Sequence, residues 1–456
     1  MNLEIFKKYN KPGPRYTSYP PATFFKSGFT VEEYIEQIVR SNEDEPQNLS
    51  FYVHIPFCPR LCHFCGCNTG VSQKEDVIRR YVDAIIKEIK TVSNYIDPSR
   101  KVSQIHWGGG TPNSINLDYV EEIMAPFSER YEFLDDAEIA MECHPGYLDY
   151  TDIDRLANAG FNRISLGVQD FDPKILKLVN RAPSQHPVNE LVAYMRKKNF
   201  RGINLDLIYG LPGQTPESFE ESVKQAIAVS PDRLATFSYA HVPWVKAAQK
   251  ILEKHGLPGP DEKLKMFNNG HNLLTEAGYV AIGMDHYAKA DDDLSLALRN
   301  KNLHRNFQGY ATRKTTGQVY GFGSSSISQL WGSYIQNVKT YPAYIETIEK
   351  QGLAPTNAYV LQPEEQITRE VITEIMCNGE MDFEQVGARF NKTAHQVKEI
   401  VQFAPEKLQE FMEDQLVAVN GDKVEVFREG FFIVRNIAMA FDPLLKTTEG
   451  MYSKTI

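Results

Sequence analysis

Between about residue 50 and residue 290, short β-branched or aromatic runs alternate with longer amphipathic stretches. This alternation is typical of βα units that pack as a mainly parallel sheet. One helical stretch, PESFEESVKQAIAV, follows Thr215, which is placed to cap a helix with Pro216 in its first turn. The predicted strands are 51–55, 102–107, 137–142, 163–167, 203–209, 234–239 and 279–283. We therefore expect an α/β fold with an incomplete barrel of about six βα units.

The composition is that of a globular chain. Of its 456 residues, 42% are hydrophobic and 24% are charged, which excludes a disordered or fibrous protein. The 49 Lys and Arg against 59 Asp and Glu give a formal net charge of −10, which disfavours nonspecific binding to nucleic acid or anionic membranes. No apolar run has the length of a signal peptide or a membrane span, so we expect a cytoplasmic protein.

After about residue 352 the pattern changes to helices followed by a predicted hairpin, VAVNGDKVEV. We expect Asn420 and Gly421 to supply the positive φ angles of a type I′ turn. Helices with a hairpin are typical of winged-helix modules. However, residues 361–430 hold 7 basic and 15 acidic residues, which opposes DNA binding. We predict a scaffold or substrate-lid role for this mainly helical region.

Four of the six cysteines fall within ten positions, at Cys58, Cys62, Cys65 and Cys67. A disulfide framework would spread its cysteines along the chain, so this clustering indicates metal chemistry in a reducing compartment. The first three have the spacing C-x3-C-x2-C. A structural zinc site would need a fourth ligand, and His54, His63 and Cys67 are the alternatives for it. Three thiolates suit an iron–sulfur cluster that leaves one iron open to a small molecule.

Other unusual residues follow the predicted strands. Because ligands of parallel α/β sheets bind at the carboxyl ends of the strands, we expect one site there. Asp206 lies inside the apolar run GINLDLIYGLP, where a carboxylate is either functional or a hydrogen-bonded core residue. The residues that follow strand ends are Cys58, Gly108 to Thr111 of HWGGGTP, Glu142, Gln169 and Gly210, and Arg181 lies in the segment LVNRAP.

The cysteine spacing, with the aromatic Phe64 directly before the third cysteine, resembles the radical S-adenosylmethionine (SAM) superfamily. In that superfamily the open iron binds SAM, and the reduced cluster cleaves it to methionine and a 5′-deoxyadenosyl radical. The resemblance implies a [4Fe-4S] cluster on Cys58, Cys62 and Cys65. It also implies a partial (β/α)6-type barrel.

Ten motifs, in order, extend the resemblance over nearly the whole chain and narrow it to the oxygen-independent coproporphyrinogen III oxidase (dehydrogenase) family. The motifs are KYNKPGPRYTSYP, YVHIPFC, CGCN, HWGGGTP, GVQDF, NLDLIYGLPGQT, SYAHVP, GMDHYA, HRNFQGY and RNIAMAFD. The resemblance implies a monomeric cytoplasmic enzyme of haem biosynthesis. Such an enzyme oxidatively decarboxylates two propionates of coproporphyrinogen III to vinyl groups, giving protoporphyrinogen IX. Its partners would be an electron donor such as a flavodoxin or ferredoxin and an unknown electron acceptor.

The resemblance also assigns two SAM molecules to residues of this chain. The positions that match contacts to the cluster-bound SAM are Tyr52, Gly109, Glu142, Ala240 and Ile327. The positions that match contacts to the second SAM are Phe64, Gly110, Thr111, Gln169, Arg181 and Asp206. Three positions depart from the family pattern: the segment around Ile327, His144 in place of an Asp, and Lys289 in place of an Arg.

A substrate with four propionates needs cations, and the sequence offers Arg15, Lys289 and Arg305. An arginine binds a carboxylate bidentately, which Lys289 would not do. The alternative for each is an ion pair at the surface or between domains. Tyr16 and Tyr19 either line the macrocycle or pack the N-terminal segment. No side chain is assigned a catalytic role of its own, because the radical would arise at the cluster.

We predict four regions. Residues 1–48 form an N-terminal segment on the substrate side, and residues 49–290 form the barrel. Residues 291–355 extend the barrel, and residues 356–456 form a helical, winged-helix-like domain. Three rival functions remain open: a haem-carrying chaperone, a radical SAM enzyme that opens the haem macrocycle, and a zinc-bearing interaction module.

Overall fold

The computed structural model describes residues 3–72 and 74–445. The N-terminal elements are α1 (Leu3–Tyr9), β1 (Lys26–Ser27) and α2 (Val31–Arg40). Helix α2 begins with a capping box, in which the Thr30 hydroxyl accepts from Glu33 N–H and the Glu33 carboxylate accepts from Thr30 N–H. Among the described residues, no helix is long and apolar enough to cross a bilayer.

Six parallel strands form the incomplete barrel, and they confirm the first six predicted strands. Each pairs with the next along the chain. The barrel strands are β2 (Leu49–Ile55), β5 (Val102–Gly109), β6 (Phe133–Cys143), β7 (Arg163–Gln169), β8 (Gly202–Tyr209) and β9 (Arg233–Ser238). Between β2 and β5, the strands β3 (Phe57–Cys58) and β4 (Gly70–Val71) form a separate short pair.

Helices join the barrel strands, as the alternating pattern predicts. Thr215 caps α8 through its hydroxyl, with Pro216 at the first helical position, which confirms the predicted helix start. The helices between the barrel strands are α3 (Glu75–Ser93), α4 (Leu117–Arg130), α5 (Tyr150–Asn158), α6 (Pro173–Leu178), α7 (Val188–Lys197) and α8 (Pro216–Val229).

The sheet continues beyond the barrel at both edges. After α9 (Lys250–Glu253) and α10 (Pro260–Glu276), an antiparallel hairpin of β10 (Val280–Gly283) and β11 (His286–Ala288) adds to β9. The predicted strand at 279–283 is therefore an antiparallel edge strand and not a seventh βα unit.

At the other edge, β14 pairs with β2 in parallel, and antiparallel strands extend the sheet outward to β1. These strands were not predicted from the sequence. The elements of this region are α11 (Asp293–Arg299), β12 (Leu303–Asn306), β13 (Gly309–Thr312), β14 (Gln318–Phe322), β15 (Ile327–Gln329), β16 (Ser333–Asn337), α12 (Tyr341–Gln351) and β17 (Pro355–Val360). Strands β12 and β13 form a separate two-stranded sheet.

The C-terminal region is mainly helical and carries the predicted hairpin. Asn420 pairs with Lys423 as a strand residue, and Gly421 has a φ of 63°. Our assignment of a positive φ to Asn420 is wrong, because the two-residue loop is Gly421–Asp422. Residues 446–456 of the predicted domain lie outside the described residues. The elements are α13 (Pro363–Asn378), β18 (Glu380–Asp382), α14 (Phe383–Arg389), α15 (Ala394–Ile400), α16 (Gln409–Glu413), β19 (Val417–Asn420), β20 (Lys423–Val426) and α17 (Val434–Ala438).

The N-terminal segment packs on the C-terminal region. The Tyr9 ring stacks on Phe411 with centroids 4.6 Å apart, and its hydroxyl donates to Asp414 at 2.6 Å. The Tyr16 hydroxyl donates to Asp442 at 2.9 Å. Segments more than 400 residues apart in sequence therefore form one side of the molecule together.

Glu88 on α3 is fully buried and joins α3 to the sheet extension. Its carboxylate accepts from Gly323 N–H at 2.9 Å, from the Asn337 amide at 2.7 Å and from the Tyr344 hydroxyl at 2.5 Å. Burial raises the pKa of Glu88 to about 7, although the three donors oppose this shift. The buried carboxylate is tolerated because three donors satisfy it.

We expect Glu88→Ala to lower the unfolding free energy by about 2–5 kcal/mol, because three buried donors lose their acceptor. Glu88→Gln keeps one acceptor oxygen and should lose less. Glu88 keeps its proton up to about pH 7 only in the folded chain, so its contribution to stability falls as pH rises from about 4.5 to about 7. Urea unfolding across this pH range measures both effects. Equal stability of wild type and Glu88→Ala would contradict the expectation.

Candidate active site at the carboxyl ends of the barrel strands

A cavity of about 630 Å³ opens at the carboxyl ends of the barrel strands and extends into the barrel. Its lining brings together most of the residues that the sequence analysis singled out. Those that line it are Cys58, Cys62, Cys65, Phe64, Gly109, Gly110, Thr111, Glu142, Gln169, Arg181, Asp206, Ala240, Arg15 and Arg305.

Three predicted site residues lie elsewhere. Tyr52 on β2 stands behind the cavity wall, with its hydroxyl 3.1 Å from His54 Nδ1. Ile327 begins β15 and pairs with Gln336 in the sheet extension. The Lys289 ammonium donates to Ser230 O at 3.0 Å, just before β9, at the opposite end of the strands from the cysteines.

The cysteine loop is held by hydrogen bonds to its neighbours. His63 N–H donates to Val179 O and the Asn180 amide donates to Leu61 O, both at 2.9 Å. The Gln249 amide donates to Phe64 O at 3.0 Å. The segments after α6 and before α9 therefore fix the loop at the cavity.

Two donors point at the sulfur atoms. The Thr111 hydroxyl donates to Cys58 Sγ at 3.4 Å, and Arg181 Nη1 donates to Cys62 Sγ at 3.5 Å. Burial raises the pKa of the Cys58 thiol to about 11, against the effect of Thr111. A hydrogen bond from Cys67 lowers the pKa of Cys65 to about 6. Thiolates are the metal-binding form of cysteine, so donors at the sulfurs favour the ligand state.

The glycine turn after β5 approaches the cysteine loop closely. Gly110 N–H donates to Ile55 O at 2.8 Å, and Thr111 N–H donates to Phe57 O at 2.9 Å. A Cβ at Gly110 would lie 2.7 Å from the carbonyl oxygens of Pro56 and Phe57. The turn therefore has to be glycine where it supports the chain that leads into Cys58.

We expect Gly110→Ala to displace the entry to the cysteine loop, at a cost of about 1–3 kcal/mol, because its new methyl group meets backbone atoms. The variant should bind less iron than wild type after anaerobic reconstitution. Gly66→Ala is the matched control, since a Cβ there meets nothing within 4 Å. Iron and sulfide analysis measures the effect, and equal iron content in the two variants would refute it.

Two carboxylates and an amide form an acceptor wall in the cavity, which we define as Glu142, Gln169 and Asp206. Glu142 lies 3.2 Å from His106 Nε2, and its side chain is 47% exposed to the cavity. Asp206 accepts from the Asn204 amide at 2.7 Å and from the Ser165 hydroxyl at 2.9 Å.

The acceptor wall has unused hydrogen-bonding capacity. Burial raises the pKa of Asp206 to about 6, although Ser165 and Asn204 oppose this. Gln169 has a φ of 69°, and its Oε1 is buried with no hydrogen-bond partner. A strained residue with an unsatisfied oxygen at a cavity is typical of a binding site. The Asp206 carboxylate already accepts two hydrogen bonds, and it also lines the cavity, where it can accept a further hydrogen bond from a ligand.

Charged pairs lie deeper in the barrel, a feature that the sequence analysis missed. Arg163 Nε lies 2.7 Å from Glu138, and Arg233 Nε lies 2.9 Å from Asp292. Burial alone would raise the pKa of Glu138, but Arg163 and Arg233 lower it to about 2. A sequence signal was available, since Arg163 opens the predicted strand 163–167 and Arg233 directly precedes the predicted strand 234–239.

Three arginines form a cationic wall of the same cavity, which we define as Arg15, Arg305 and Arg435. Burial, together with Arg15 and Arg305, lowers the pKa of Arg435 to about 10. Arg305 Nε is buried and has no partner. The sequence analysis missed Arg435, although an arginine in the apolar segment RNIAMAFD was a usable signal.

The residues present fit an iron–sulfur cluster and a polar ligand beside it. Three thiols line the cavity, donors reach two of them, and the acceptor wall stands opposite with an unsatisfied oxygen. Within residues 3–72 and 74–445, no three His, Cys, Asp or Glu side chains converge as ligands of a single metal ion.

Comparisons with known proteins show the family of this chain. The family model described as the radical SAM superfamily matches residues 52–226. The oxygen-independent coproporphyrinogen III oxidase of Synechocystis sp. is 39% identical over 460 residues, covering 100% of this chain and 98% of that protein. The enzyme of that name from Escherichia coli is 38% identical over 447 residues, covering 98% and 96%. The solved structure of coproporphyrinogen III oxidase from Escherichia coli, described as a radical SAM enzyme, has a TM-score of 0.90 at 37% identity. It covers 97% of this chain and 99% of that one.

Proposed function

The chain belongs to the oxygen-independent coproporphyrinogen III oxidase family of radical SAM enzymes, and we propose that its barrel cavity is where coproporphyrinogen III reacts. The reaction turns two propionate side chains into vinyl groups and gives protoporphyrinogen IX, a step of haem biosynthesis. The observation that carries the proposal is that the thiols, the acceptor wall and the cationic wall line a single cavity.

Cys58, Cys62 and Cys65 hold a [4Fe-4S] cluster in this proposal. When bound, the cluster and SAM supply a 5′-deoxyadenosyl radical that takes a hydrogen atom from the propionate, after which carbon dioxide and one electron leave. Thr111 and Arg181 stabilise the thiolates through their hydrogen bonds to sulfur.

The polar residues beside the cluster bind SAM. Glu142 accepts from the amino group or ribose of the first SAM, next to Gly109 and Ala240. A second SAM contacts Phe64, Gly110, Thr111, Gln169, Arg181 and Asp206. The half-exposed carboxylate of Glu142 and the unsatisfied Gln169 oxygen support these assignments. Tyr52 and Ile327 do not line the cavity, so direct contact of either residue with SAM stays a prediction.

The cationic wall binds the propionates that give the substrate its charge. Arg15, Arg305 and Arg435 come from the N-terminal segment, the extension and the C-terminal region, so those three regions enclose the macrocycle. A guanidinium pairs with a carboxylate through two hydrogen bonds. We also propose that the enzyme acts as a cytoplasmic monomer, reduced by a flavodoxin or ferredoxin and oxidised by a separate acceptor.

The experiment that tests this function uses the anaerobically reconstituted chain with SAM, dithionite and coproporphyrinogen III. We expect mass spectrometry to show stepwise loss of two propionate carboxyl groups, with 5′-deoxyadenosine appearing alongside. Formation of 5′-deoxyadenosine with an unchanged porphyrin would refute the substrate. Tight haem binding without turnover would favour the chaperone function instead.

Arg15→Ala should raise the KM for coproporphyrinogen III about 10- to 100-fold, because a charge-assisted hydrogen bond contributes about 1.5–3 kcal/mol. The iron content should not change, since Arg15 does not contact the cysteine loop. Lys289→Ala is the matched control, and we expect a wild-type KM from it because Lys289 lies outside the cavity lining. A raised KM in Lys289→Ala with a normal KM in Arg15→Ala would contradict the proposed cationic wall.

A further inference from the structure

The cysteine loop reaches the surface beside an exposed aromatic residue. The side chain of Trp244 is 78% exposed and that of Val245 is 67% exposed, whereas large apolar residues are usually covered. The next residue ties this segment to the loop, because the Lys246 ammonium donates to Cys67 O at 2.7 Å. Cys67 is itself exposed and lies two residues after Cys65.

Three segments pack together around this point. Phe64 of the cysteine loop, Ile175 and Leu178 of α6 and Leu252 of α9 share one small apolar cluster, separate from the main core. The hydrogen bonds from His63 to Val179 and from the Gln249 amide to Phe64 O reinforce the packing. The loop, α6 and the segment around α9 therefore lie side by side.

That surface is basic in an acidic protein. Residues 59–72, 173–181 and 241–257 hold seven Lys and Arg and one acid, Glu253, which lies 3.0 Å from His241. The whole chain carries a formal net charge of −10. We call the exposed residues here the basic patch, and they are Arg60, Lys174, Lys177, Lys250 and Lys254.

We propose that Trp244, Val245 and the surrounding basic patch are the docking surface for a small acidic protein that delivers single electrons to the cluster. Positive charge attracts an acidic partner and steers its approach, and a central exposed aromatic residue supplies contact area once the surfaces meet. The cluster would sit on the loop directly beneath, so one electron passes from the reduced carrier to the cluster over a short path. The inference rests on the proposed function, which requires a reductant.

The test measures binding of an acidic flavodoxin to the full, cluster-loaded chain by calorimetry at low and at physiological salt. We expect the wild-type affinity to fall as salt rises, because the attraction is screened. Trp244→Ala should weaken binding about tenfold or more. Lys177→Glu with Lys250→Glu should weaken it similarly and also reduce its dependence on salt.

Two control variants replace similar residues elsewhere. Phe427 is 39% exposed on the C-terminal region, and Lys392 is exposed there too. Phe427→Ala and Lys392→Glu should bind flavodoxin as wild type does. Unchanged affinity in both the Trp244 and the lysine variants would overturn the proposal. Self-association of the wild-type chain through Trp244, detected by sedimentation and abolished in Trp244→Ala, would also overturn it.

Activity assays with a chemical reductant distinguish a failure of the docking surface from a failure of the proposed function. With dithionite, Trp244→Ala should form 5′-deoxyadenosine and decarboxylate its substrate at the wild-type rate, but with reduced flavodoxin it should be slower. An inactive wild type with dithionite would refute the proposed function. A variant equally fast with both reductants would refute only the docking surface.

Discussion

The close backbone contact between the glycine turn and the chain entering the cysteine loop is the constraint on which the site depends. Gly110 N–H meets Ile55 O where the parallel strands β2 and β5 end together. The pairing of these two strands therefore sets where Cys58 lies. The same turn carries the hydroxyl of Thr111 to the Cys58 sulfur. The strand register thus sets the entry to the loop and brings Thr111 to the thiol, and this close approach leaves no room for a side chain at Gly110.

The sequence predicts the barrel well because its signals are local. Each strand is a short apolar run, and the Thr215 cap is read from neighbouring residues. The sheet extension is different, since β14 pairs with β2, which lies more than 260 residues earlier. No local pattern encodes such a pairing. The prediction of the turn at Gly421 is limited in a similar way. A shift of the strand pairing by one residue decides whether Asn420 lies in the loop or in the strand.

The residues of the site also divide into those that the sequence predicts and those that only the folded structure reveals. The cysteine spacing, Glu142 at a strand end and Asp206 within an apolar strand are visible in the sequence, and the structure gathers these residues at one cavity. The cationic wall is visible only in part, because Arg15 and Arg305 were predicted, whereas Arg435 joins them only when the two ends of the chain pack. The Arg435 guanidinium then donates to Gly13 O in the N-terminal segment. The sequence motif shows that Arg435 lies in an apolar segment, where an arginine is uncommon, but only the packing of the chain shows that it lines this cavity.

The distribution of charge in the cavity is uneven in a way that suits the two unlike ligands of the proposed function. SAM carries a cationic sulfonium and amino group, and the acceptor wall offers the carboxylates of Glu142 and Asp206. The porphyrinogen carries four carboxylates, and the cationic wall offers three guanidiniums. Burial, and then repulsion from Arg15 and Arg305, lower the pKa of Arg435. In the proposed function, the anionic propionates relieve the repulsion among Arg15, Arg305 and Arg435. The carboxylates of Glu142 and Asp206 likewise favour the cationic groups of SAM, so the uneven charge of the cavity suits the proposed placement of substrate and cofactor on different walls.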